Sequence, residues 1–157
     1  RILQIGGSTA LFEACDEAIQ ATGTYGKQLT SQDFLVNGIV VVVTDGEGNC
    51  GAINSGDLAA DAAVVKKGLL NVRRAENLES LNTILIGVTN DNRGLNHYLQ
   101  TVKDEAGFDQ YVSIGNATPG RIAKLAEFVC LAEPVSVQVL SSQCPVGSGG
   151  PNPPSPC

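Results

Sequence analysis

No apolar run in this sequence approaches the roughly 18 residues that a membrane-spanning helix needs; the longest, Gly38 to Val43, is far shorter, so no such span is expected. Any Gly-Lys-Ser/Thr phosphate loop is missing, and with it the usual signature of P-loop binding. Histidine occurs once, as His97. A hydrolase would need it as its base, yet no GxSxG elbow surrounds any serine. His97 also falls in a helical segment, where a surface or half-buried histidine is the ordinary case. Cysteine never appears as a CxxC pair, which argues against structural zinc and thioredoxin-type chemistry. Trp and Met are absent and aromatics are 4% of the chain, but the apolar and charged fractions, 43% and 17%, suit an ordinary globular domain. No internal repeat is present.

Positive charge is in deficit as well. Ten Lys and Arg face 16 Asp and Glu, a net charge of −6, so the average surface repels a phosphate backbone and nucleic acid is not an expected partner. A chain of 157 residues suits one domain, which buries roughly two-thirds of its unfolded surface. It opens on Arg1 rather than Met, and a longer parent product is expected. Five cysteines without a zinc pattern, Cys15, Cys50, Cys130, Cys144 and Cys157, point to an oxidised, extracellular chain. The odd number leaves one thiol free or paired outside the chain. For Cys15 and Cys130 the other reading is a small buried helix residue.

Strands and helices alternate along the chain. A short apolar segment, Ile2 to Ile5, is closed by Gly6-Gly7. Leu11, Cys15, Ala18 and Ile19 then recur at helical spacing, with Thr9 as a possible N-cap and an end near Gly23. Ile39 to Val43 is β-branched and continuous, as in a strand covered on both faces, and it stops at the turn-rich Thr44-Asp45-Gly46-Glu47-Gly48-Asn49. Ser55 is placed to cap a helix from Leu58 to about Lys67, interrupted at Gly68 and resumed from Leu69 to Leu81. Thr83 to Val88 predicts a second buried strand with the polar exit Thr89-Asn90-Asp91-Asn92. Leu95, Leu99 and Val102 share one face of a helix that Gly107 stops. Tyr111 to Ile114 predicts a third strand, and Thr118 caps a last helix with Pro119 at its first position.

This alternation gives the fold class: α/β, a Rossmann-like doubly wound, mostly parallel sheet with helices on both faces and right-handed crossovers. Residues 1–133 form the α/β domain. Val135 to Leu140 has the pattern of one more extended strand. Residues 134–157 as a whole, rich in Cys, Pro, Gly and Ser, read as an extended tail or linker. The sequon Asn116-Ala117-Thr118 marks Asn116 as a glycan acceptor in a secreted chain.

Three segments stand in a fixed order: Gly6-Gly7-Ser8-Thr9-Ala10-Leu11 before a helix, Val42-Val43-Thr44-Asp45-Gly46 at a strand end, and Leu85-Ile86-Gly87-Val88 in the next strand. In that order, and with a closing helix at Arg121 to Leu131, they resemble the second half of a von Willebrand factor A-type domain across about residues 1 to 132. The resemblance implies a metal-ion-dependent adhesion site on top of the sheet. Thr9 and Asp45 match its threonine and last aspartate, while the Asp-x-Ser-x-Ser motif of that family has no match. It further implies Mg²⁺ or Ca²⁺ as the ion, since hard cations take oxygen ligands and leave a position for a partner's carboxylate. Ser8, Gly46, Glu47, Asn90 and Asp91 are candidate binding residues on the same edge. A helix N-cap for Thr9 and a turn-forming role for Asp45 stand beside the metal reading.

The function that follows is an extracellular adhesion, matrix or filament-assembly protein that acts through protein contacts rather than catalysis. Its Pro-rich tail, Pro151 to Pro156, resembles the Ser-Pro-rich segments of algal and plant cell-wall glycoproteins. The alternative is a nucleotide- or phosphate-binding α/β enzyme, because Gly6-Gly7-Ser8-Thr9 leads into a helix N-terminus, where anions bind well. In the A-type family the strand without a match is central, so the expected partner is another chain or an upstream fragment that completes the sheet, within an oligomer or filament. Expected disulfides are Cys144 with Cys157 in the tail and Cys15 with Cys50 near the upper rim, although spacing by itself does not settle connectivity.

Overall fold

The computed structural model of the chain describes residues 9–115, 118–131 and 139–140. In chain order the elements are α1 (Leu11–Thr30), β1 (Asn37–Thr44), α2 (Leu58–Arg74), β2 (Ser80–Val88), α3 (Arg93–Ala106), β3 (Gln110–Ile114), α4 (Pro119–Leu131) and β4 (Val139–Leu140). The strands form a parallel sheet in the order β3-β2-β1-β4. This is the expected α/β architecture.

Strand alternation sorts the side chains into two cores. Val40 and Val42 of β1 and Leu81 and Leu85 of β2 point to one face, where Leu11, Cys15 and Ile19 of α1, Val65 and Leu69 of α2, and Leu99 and Val102 of α3 cover them. Ile39, Val41, Ile84 and Ile86 point to the other, where Leu125 of α4 packs with Val112 and Ile114. Handedness explains the split. The β1-α2-β2 and β2-α3-β3 units step the same way across the sheet, so right-handed crossovers place α2 and α3 on one side. The β3-α4-β4 unit steps back across it, and α4 falls on the opposite side.

The helices depart from the sequence reading where they touch one another. α1 does not end near Gly23 but continues to Thr30. A β-carbon on Gly23 would lie 2.9 Å from both methyls of Val72, and one on Gly26 would meet Leu78. These glycines let α1 approach α2 and its exit, and the close packing of the two helices there outweighs the low helix propensity of glycine. Gly68 likewise lies against Asp16 and Gln20 of α1, and α2 runs through it without a break.

Caps also differ. The carboxylate of Asp57, not Ser55, accepts from the N–H groups of Ala59 and Ala60 at the start of α2. Thr9 is not an N-cap, since that position of α1 is Ala10 and has no side-chain bond. α3 is N-capped by Asn92, whose side chain accepts from Leu95 N–H, and stops at Gly107 in the left-handed conformation (φ 76°), the stop that its sequence predicts.

Val139–Leu140, within the segment read as a tail, joins the sheet as β4 and pairs with Val41 and Val42 of β1. Ile2 to Ile5, Gly6, Gly7, Ser8, Asn116, Cys144 and Cys157 lie outside the described residues.

Candidate functional site at the carboxyl edge of the sheet

In a parallel sheet with helical crossovers all strands finish at one edge, and ligands of such folds bind in the crevice there. Here the edge gathers the exits of β1, β2 and β3 and the N-terminal ends of α1, α2 and α3. The exit of β1 is the most tightly organised. Thr44 is buried, and its hydroxyl both donates to the carbonyl of Gly46 (3.0 Å) and accepts from Gly46 N–H (3.3 Å). This small loop leaves Asp45 and Glu47 at the tip.

Thr9 is fastened to the same loop through its backbone. Its N–H donates to Asn49 Oδ1 at 2.7 Å, and its carbonyl accepts from the N–H groups of Asn49 (3.0 Å) and Cys50 (3.3 Å). The Thr9 hydroxyl also faces Gly46, where a β-carbon would stand 3.1 Å from Oγ1. The structure therefore brings Thr9 next to Asp45-Gly46, the pairing that the ordered motifs suggest.

Three further groups hold the loop. Tyr98 on α3 accepts from Gly48 N–H at 3.1 Å. Burial, reinforced by the charges of Glu47 and Asp61, raises its phenol above the usual tyrosine range despite that bond, so it stays a neutral hydroxyl. Glu13 on α1 accepts from Ala52 N–H at 2.9 Å. Both carboxylate oxygens of the buried Asp61 accept from Ser55 N–H, at 2.9 and 3.1 Å.

Asn90 and Asp91 belong to the neighbouring exit. Both are exposed, and both adopt left-handed backbone (φ 47° and 62°), which Asn and Asp tolerate better than other side chains. Thr89, buried beside them, donates its N–H to the carbonyl of Ile114 (2.9 Å) and shares a hydrogen bond with Ser113 Oγ (3.2 Å). The Asp91 carboxylate lies against Gly115. Asp91 thus sits against the exit of β3, with Asn90 beside it at the exit of β2, while Thr9, Asp45, Gly46 and Glu47 make up the β1 side.

A hard cation needs about six oxygen ligands, some of them water. The Thr9 hydroxyl and the Asp45 carboxylate are the right donor types, but they make a partial set. Among the described residues no three His, Cys, Asp or Glu side chains gather as a metal-holding group.

The expected Cys15 to Cys50 disulfide is not formed. Cys15 sits on the inward face of α1, 1% exposed, among Leu11, Ala18 and Ile19, and is a free thiol. Burial, with the Asp16 charge adding to it, pushes that thiol up to about 12. Cys50 lies on the rim loop and is disulfide-bonded, with its partner outside the described side chains. Among the described side chains Cys15 is thus the free thiol, in the buried helical role open to it from sequence. His97 is exposed on α3.

Sequence reasoning missed Tyr98, Glu13 and Asn49. Only Asn49 carried a signal, its place in a turn-rich loop. Compared with protein-family models, with curated proteins and with solved structures, the chain matches none.

Proposed function

We propose that this chain is an extracellular adhesion, matrix or filament-assembly module that acts through protein contacts at the carboxyl edge of its sheet, in the manner of a von Willebrand factor A-type domain. The observation that carries the reading is the fastening of Thr9 to the loop of Asp45 and Gly46, which sets a hydroxyl and an exposed carboxylate on one loop edge. Such a pair suits Mg²⁺ or Ca²⁺, with the remaining ligands coming from water and from a partner's carboxylate. The partner is a protein, another chain or an upstream fragment. The disulfide at Cys50 agrees with a secreted chain.

Titration calorimetry with Mg²⁺, Ca²⁺ and ATP tests the proposal. The expected result is divalent-ion binding at about 1 mM or tighter, weakened at least about tenfold by Asp45→Ala. Heat with ATP alone would instead favour the phosphate-binding enzyme. Divalent binding that Asp45→Ala leaves unchanged would place the ion away from this edge and overturn the proposal.

A further inference from the structure

We infer that the groove between β3 and α4 takes an extended acidic peptide of another protein, which joins the sheet as a strand along the outer edge of β3. Among the described residues β3 pairs with β2 alone and ends the sheet. An edge strand turns backbone N–H and C=O groups outward, and proteins usually blunt such an edge with charges, proline or bulges. β3, Gln110-Tyr111-Val112-Ser113-Ile114, contains no charged residue and no Pro.

Beside it opens a groove of about 560 Å³, with Val112, Ile114 and Leu125 in its apolar floor and Arg121 and Lys124 along its α4 wall. Every second side chain of a strand laid along β3 would point to this face. The apolar floor then accepts one such side chain and the two cations the next, the usual division in strand addition between backbone bonds for affinity and pockets for specificity.

Charge selects the occupant. Arg121 and Lys124 lie one helical turn apart and are exposed, and neither belongs to an ion pair among the described residues. On a chain of net charge −6 they form a local cationic wall that calls for Asp or Glu on the peptide. At the Gly115 end a β-carbon would lie 2.8 Å from Asp91 Oδ1 and 3.8 Å from Arg121 Nη1, so Lys124 is the cation farther from a carboxylate of this chain. A second copy of this chain fits less well, because two like-charged molecules would meet with their cationic walls close together.

The probe is a peptide of alternating pattern, Ac-Thr-Val-Thr-Glu-Thr-Val-Thr-Glu-NH2, titrated into the isotope-labelled full chain and followed by amide NMR. Binding at about 1 mM or tighter is expected, with shifts and slowed exchange confined to β3, Gly115 and α4. An analogue with Gln for each Glu should bind about tenfold more weakly, as should the Arg121→Ala/Lys124→Ala double variant. Both substitutions are at exposed positions and leave the core intact. A peptide N-methylated on the residues that face β3 should not bind. Equal binding by the Gln analogue, no effect of the double variant, binding of the N-methylated peptide, or no binding at all would each overturn the inference. So would self-association of the peptide-free chain through β3.

Discussion

Asp109 joins three elements at the edge opposite the candidate site, and its removal measures how the sheet is fastened there. Its carboxylate accepts from the backbone N–H and the hydroxyl of Thr83, both at 2.8 Å, and from Arg73 at 2.7 and 2.9 Å. Thr83 is 0% exposed, whereas the side chains of Arg73 and Asp109 are 33% and 38% exposed. The two sets of bonds therefore differ in weight. Asp109→Ala strips a buried N–H of its acceptor and forces a buried hydroxyl to find another, which costs about 2 to 3 kcal/mol. Arg73→Ala removes a solvent-screened ion pair and a bond to the carbonyl of Leu81, and should cost about 1 kcal/mol or less.

Urea unfolding should resolve these values as a shift in midpoint at constant slope, and thermal melts as a drop of about 5 to 10 °C for Asp109→Ala. The pH dependence has a definite sign. Burial pushes the Asp109 carboxyl up, but the bonds from Thr83 and the Arg73 charge outweigh it, so the folded value lies below the ordinary one. The contribution of Asp109 is then complete above the unfolded value of about 3.9 and fades as pH falls through the folded value. The gap between wild type and Asp109→Ala should stay level from about pH 5 to 8 and narrow below about pH 4. An Asp109→Ala loss no greater than that of Arg73→Ala would refute the reasoning, because it would mean that the buried bonds to Thr83 contribute nothing.

The Cys15 thiol should resist Ellman's reagent in the native chain at about pH 8, where a group pushed up to about 12 holds almost no thiolate, and should react once the chain unfolds. Reaction within minutes under native conditions, or a Cys15 to Cys50 peptide in non-reducing mapping, would contradict the buried placement. If a partner strand completes the sheet, the β1 amides that face β4 should exchange faster in the isolated chain than those that face β2, and should slow in the assembled state. Isolated chain that refolds to a stable monomer with β1 uniformly protected would sink the idea.

The sheet and its order of elements were readable because their signals are local. Runs such as Ile39 to Val43 and Thr83 to Val88 are buried on both faces and declare themselves by composition alone. The stop of α3 at Gly107 needs one residue with access to positive φ. The place of Asp45 at the exit of β1 follows from strand period and turn chemistry. What only the tertiary structure decided involves partners distant in sequence. Thr9 meets Asn49 across 40 positions and Tyr98 meets Gly48 across 50. α1 runs past Gly23 and Gly26 because Val72 and Leu78 pack there, and no local propensity encodes that. Cys15 is a free thiol because it faces the core, a placement set by the rotation of α1 against the sheet. Local pattern selects the elements, while side chains brought together by the crossovers determine where helices end, which groups cap them and which residues share a site.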